Sequence, residues 1–207
     1  MNRLLGPLFH NRCLLDLLRA EAELTSEAFS VMLRGLRDEG SCGRGGFRRI
    51  ERLWRRAGRI DRHLTARLER AIVTPLDAED IRALSGYLND ILESLKAAAW
   101  EQSNLQAVAV PELLINMYER VYQSSRGLVR AVSSLPQEAP IAEFAKELSG
   151  HRRMVKQFQR ELVAGLMEQA DPIGIIAWKQ VYESPLIILL CFQKTACGLQ
   201  RTRLKNN

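Results

Sequence analysis

Two groups of residues have types and spacings that could do chemistry, and they carry opposite charge. The first is acidic: in TPLDAEDIRALSGYLNDILESL, residues Thr74 to Leu95, the side chains Asp77, Glu79, Asp80, Asp90 and Glu93 fall within one apparent helix. Carboxylates a helical turn apart share a face and could together meet a hard or borderline cation, or do acid/base work. The first three have a simpler use. Thr74-Pro75 stops the preceding helix, because proline lacks an amide donor and disfavours helical geometry before it. Asp77 is then placed as the N-cap of the next helix, accepting from the amide of Asp80, while Glu79 and Asp80 face the positive end of the dipole. Asp90 and Glu93 lie beyond the cap and stay open to another role.

The second group is basic. Arg48, Arg52, Arg55, Arg59 and Arg62 follow one another at helical spacing along one side of a second helix, with Arg56 beside them. Between Arg44 and Arg70, ten arginines stand against Glu51, Asp61 and Glu69, a local charge of +7 in a chain whose net charge is +6. The basic character therefore belongs to this segment. One reading is a solvated face that pairs with acids on neighbouring helices. Exposed pairs contribute under about 1 kcal/mol each, so pairing alone is a weak reason for so many arginines. The other reading is an anion surface for phosphate, polyphosphate, acidic lipid headgroups or an acidic partner. A basic helical module binding nucleic acid is a further alternative, but no recognition-helix motif or interleaved aromatic platform supports it.

Little points to catalysis. His10, His63 and His151 are scattered, and no serine or cysteine has a recognisable base partner in sequence. Cys13, Cys42, Cys191 and Cys197 form no CxxC pair, which argues against a zinc site or disulfide framework and fits thiols in a reducing cytoplasm. The composition, 46% hydrophobic and 26% charged over 207 residues, fits one folded core. MNRLLGPLF is too short for a signal peptide and is broken by Gly6 and Pro7. The longest unbroken apolar run, Pro185 to Phe192, falls far below the roughly 18 residues of a membrane span. These features predict a soluble, cytoplasmic protein.

Helical periodicity fills almost every segment and predicts an all-α chain. Helices are expected over about Asn11 to Arg37 and Phe47 to Val73, joined by the glycine-rich connector DEGSCGRGG, which lacks the Gly-Lys-Ser/Thr ending of a phosphate-cradling loop. A third begins after Asp77, with Ile81, Leu84, Leu88, Ile91, Leu92 and Leu95 as its buried face. Pro111 suits the first turn of a fourth, SLPQEAP turns into a fifth, and Asp171-Pro172 opens a sixth. Trp54, Trp100 and Trp178 read as core or groove anchors. Ser184-Pro185 is expected to restart the last helix with a bend. The apolar run after it is expected either in the core or as a partner-binding patch.

The stretch AIVTPLDAEDIRALSGYLNDILESLKAAA, Ala71 to Ala99, resembles the helix junction of the PhoU-like phosphate transport regulators, in the divergent branch found with Pit-type phosphate transporters. DPIGIIAWKQVYE, Asp171 to Glu183, is similar to a second segment of that family, and the closing LKN and the early GPLFHNR also fit. The resemblance covers nearly the whole chain. It implies a six-helix PhoU-like bundle of two three-helix repeats, about residues 11–103 and 111–203 within one domain. It also implies a non-catalytic regulatory or accessory role in phosphate transport, through contact with a Pit-type transporter or another membrane-associated partner. The homo-oligomer is one option. Several relatives bind metal clusters through acidic motifs, and a metal-cluster-binding protein is the alternative function.

This sequence departs from those motifs. Relatives' Glu-Ala-Asp becomes Arg56, Ala57 and Gly58, and their Leu-Asp-Asp becomes Leu88, Asn89 and Asp90, with Glu93 kept. Later acidic positions fall at Met154 and Lys156, and at Leu186, Leu190, Gln193 and Lys194. No metal and no cofactor are therefore expected. Asp90 and Glu93 should be solvated or paired, with a guanidinium as one available partner. The candidate binding residues are Arg48, Arg52, Arg55, Arg56, Arg59, Arg62, Asp90 and Glu93.

Overall fold

In the computed structural model, residues 5–104, 110–135, 137–166 and 172–205 are described. They form six α-helices in chain order, α1 Leu5–Asp38, α2 Gly43–Leu68, α3 Ala78–Asn104, α4 Glu112–Ser133, α5 Glu138–Leu166 and α6 Pro172–Lys205, and no strand occurs among them. The apolar stripes drive this outcome. Leu14, Leu18 and Ala28 of α1, Ile81 to Leu95 of α3 at helical spacing, and Leu114, Met117 and Val121 of α4 are all buried in one core. α1, α2 and α3 pack against one another, as do α4, α5 and α6. The two sets meet where α1 lies on α4 and α3 lies on α6. Phe192 closes the centre, with its ring 5.6 Å from that of Phe29 on α1 and 6.4 Å from that of Phe144 on α5.

Helix ends differ from the sequence expectation in instructive ways. α1 starts six residues before Asn11, because Pro7 falls in a first turn whose amides have no helical partner to lose. α2 starts at Gly43, inside the glycine-rich connector, after Gly40 and Gly43 take the left-handed backbone that a tight reversal requires. It stops at Leu68, five residues short of Val73. Ile72 and Val73 find nothing to pack against and stay exposed, so continuing the helix would gain no burial. Pro111 is the N-cap of α4, one residue before the first turn. α6 begins at Pro172 as expected; its proposed cap, Asp171, lies outside the described residues.

α6 corrects two further expectations. Pro185 does not restart a helix, since α6 runs unbroken from Pro172 to Lys205. Ser184 does not cap it; its hydroxyl donates to Glu101 Oε2 at 2.7 Å, and Gln180 Nε2 donates to Glu101 Oε1 at 2.7 Å. Those bonds to α3 hold the turn that immediately precedes the missing amide. Counting only unbroken apolar residues also understated this segment. Within Gly174–Lys205 an 18-residue window reaches a mean hydropathy of 1.4, so by length and composition alone the segment is long and apolar enough to cross a membrane. In the bundle it packs on α3, α4 and α5 and buries Ile188, Leu189, Phe192 and Leu199. The run after Pro185 is thus core and surface at once, with Ile187 and Leu190 facing outward. Gly198 lets α6 approach α3 closely, because a Cβ there would lie 2.9 Å from the Tyr87 ring.

Candidate functional site

The amphipathic pattern of α2 decides where its arginines go. Ile50, Leu53, Ala57, Leu64 and Leu68 turn inward, so Arg48, Arg52, Arg55, Arg56, Arg59 and Arg62 are all exposed. Within this set only Arg55 has an ion pair, to Glu51 of its own helix at 2.8 Å, among the described residues. Arg49, at the edge of the face, reaches Glu27 of α1 at 3.4 Å. The predicted pairing with acids on neighbouring helices is therefore confined to that edge. Five of the six candidate arginines present uncompensated charge to solvent. A row of fixed, planar guanidinium groups is suited to phosphate and carboxylate oxygens.

The acidic stretch divides as its spacing suggests, with one exception. Asp77 caps α3 by accepting from the amide of Glu79 at 2.9 Å, one residue earlier than predicted, while its carbonyl accepts from Ile81. Asp80 is more than a charge near the dipole. It is buried, with Oδ1 accepting from Lys205 Nζ at 3.1 Å and lying 3.9 Å from Arg201 Nε, so it fastens the end of α6 to the start of α3. The hydrogen bond that Lys205 donates to Asp80 is the main cause that raises the pKa of Lys205. Asp90 and Glu93 are exposed. Glu93 Oε1 pairs with Lys96 Nζ at 2.8 Å, and the same ammonium sits 3.5 Å over the Trp54 ring. A lysine of α3, and no arginine of α2, is thus the partner of Glu93. Among the described residues no three His, Cys, Asp or Glu side chains are grouped so as to hold a metal ion.

Trp54 and Trp178 pack partly buried against the core, whereas Trp100 lines a surface depression. Trp100 is 55% exposed and leans on Phe47, with ring centroids 5.4 Å apart, while Trp178 stacks on Tyr182 at 5.5 Å. His151 supplies a base-to-serine contact that sequence could not show: its Nδ1 lies 2.9 Å from Ser124 Oγ. Ser124 Oγ also lies 2.9 Å from the carbonyl of Arg120, and when its one proton goes there His151 must donate to the hydroxyl. That is the reverse of nucleophile activation. Burial, then Arg120, lowers the His151 pKa against an opposing effect of Glu147.

Sequence reasoning missed a buried polar cluster inside the α1–α2–α3 unit. Ser85 Oγ lies 2.9 and 2.8 Å from the two carboxylate oxygens of Glu21 and 2.8 Å from Asp61 Oδ1. One hydroxyl proton cannot serve three acceptors, so a second proton must reside on the cluster. Burial supplies the reason, pushing the Glu21 carboxyl up to about 8, with the hydrogen bond from Ser85 opposing and Asp61 adding. A signal existed: Glu21 keeps the helical phase of Leu14, Leu18 and Ala28, and Ser85 that of Leu88 and Leu92, which are core positions.

No family model matches this chain, and no curated protein matches it in sequence. Its structure superposes on the crystal structure of a PhoU-like protein from Shewanella oneidensis MR-1 with a TM-score of 0.70, covering 92% of this chain and 96% of that one. The fold is PhoU-like. With 11% sequence identity, this likeness establishes the architecture and transfers no functional residue. Within the PhoU-like bundle, the positions where the resemblance implied acidic ligands carry exposed Arg56, Lys156 and Lys194.

Proposed function

We propose that this chain is a non-catalytic regulatory or accessory protein of inorganic phosphate transport, acting by contact with a Pit-type transporter or its membrane surroundings at the cytoplasmic face. The observation that carries this reading is the α2 face, six exposed arginines of which one is ion-paired, displayed on a PhoU-like scaffold. Such a surface attracts anionic headgroups and acidic loops at a membrane boundary, and each basic residue near an anionic bilayer contributes about 1 kcal/mol. Positive charge at the positions of relatives' acidic motifs favours a protein that works through anion contacts and not through a bound metal cluster.

The test is co-purification of a tagged full-length chain from membranes containing a Pit-type transporter, under low and high phosphate. The transporter should come with the chain in one condition and be depleted in the other. Equal absence of the transporter under both conditions would overturn the reading.

A further inference from the structure

The outer surface of α6 carries two adjoining depressions of about 600 and 830 Å³. They share Arg152, Gln193 and Cys197, and so form one concave surface across α5, α6 and the Tyr87 edge of α3. Arg152, Arg153, Lys156, Lys194 and Arg201 line it, and no acidic side chain does. Among the described residues, Arg201 is the one of these cations with an acid within reach, Asp80 at 3.9 Å. Arg152 donates from Nη1 to Gln193 Oε1 at 2.8 Å, which fixes the guanidinium beside α6 without neutralising it. Ile187 and Leu190, 52% and 43% exposed, line the larger depression together with Arg152, Lys194 and Arg201. Two large aliphatic side chains in a basic depression gain nothing from solvent, and they gain burial from an apolar occupant.

We propose that this surface is a docking site for an acidic amphipathic helix of a protein partner. The concave shape suits a rod better than a flat bilayer. The five cations call for carboxylates along the flanks of that rod, and Ile187 and Leu190 call for an apolar stripe along its centre. The site goes beyond the phosphate-transport reading: its charges and its apolar floor stand whatever becomes of the α2 face.

The test is fluorescence anisotropy with the full-length chain and a labelled synthetic peptide of about 18 residues, leucine at i, i+3, i+4 and i+7 and glutamate elsewhere. Saturable binding is expected. It should weaken at least about tenfold in Arg152→Glu/Lys156→Glu and in Ile187→Ser/Leu190→Ser, and when the peptide's glutamates become glutamines. The α2 reversal Arg52→Glu/Arg55→Glu/Arg59→Glu should leave the affinity within about twofold, since distant sites act independently. These are surface positions, and circular dichroism checks that each variant is folded. Undiminished binding to the α5 and α6 variants, or loss of binding in the α2 variant, would overturn the proposal. So would failure of the peptide to bind while anionic phospholipid vesicles bind through Arg152 and Lys156, which would assign the surface to a membrane. Self-association of the chain through this face, undisturbed by the peptide, would assign it to a second copy and overturn it equally.

Discussion

Glu21 is the residue at which burial and charge conflict most directly, and it yields a sign that can be worked out. Its carboxyl titrates near 8 in the folded state against an ordinary value of 4.5. Between those pH values the folded chain holds a proton that the unfolded chain has released. Stability from this group is therefore complete below about pH 4.5 and is lost as pH rises through 8, by roughly 3–5 kcal/mol. Glu21→Gln keeps the shape and cannot ionise, so urea unfolding at pH 5 and pH 8 should show a smaller pH difference in the variant than in the parent. An unchanged difference would contradict the proton count around Ser85. At Asp77 the expectation is more local: Asp77→Ala should lower stability by about 0.5–2 kcal/mol, read from the same unfolding curves. The two residues show what a sequence makes legible. Asp77 acts on an amide in the first turn of its own helix, which spacing reveals to within one residue. Glu21 acts on Ser85 and Asp61, which only the packing of three helices brings to it.

Among the elements, α2 was the most legible and α6 the least. A helix with one apolar stripe and an opposing basic row has one stable orientation, so the exposure of its arginines follows from periodicity. α6 is apolar on several faces, and periodicity cannot choose which one enters the core. Tertiary contacts choose, through Gly198 against Tyr87, Ser184 and Gln180 on Glu101, and Lys205 on Asp80. Pro185 is tolerated because those contacts flank it. Removing the last of them should free the end of the helix: in Asp80→Asn, amide hydrogen exchange over about the last two turns of α6 should quicken while the middle of α6 stays protected. Uniform protection in the variant would mean that apolar packing alone holds that end.

The whole molecule presents two basic surfaces of different character on a PhoU-like bundle. The α2 face is a charged row on a convex helix, whereas the α5–α6 face combines charge with exposed aliphatic side chains in a depression. The bundle itself was readable from six apolar patterns and the prolines that separate them, because helix pairs bury whatever stripe they share. The depression was not, since it joins residues of three helices that no spacing connects. In the proposed function, uncompensated arginine on α2 makes the contact with an anionic membrane surface or a transporter there. The measurement that tests it most directly is co-sedimentation of the chain with vesicles containing a Pit-type transporter and anionic lipid, comparing the parent with Arg52→Glu/Arg55→Glu/Arg59→Glu at low and at physiological salt. Salt-sensitive binding by the parent is expected, and its loss in the reversed variant, with the fold retained. Equal sedimentation of the two proteins at both salt concentrations would contradict it and leave the α2 arginines as a solvated face.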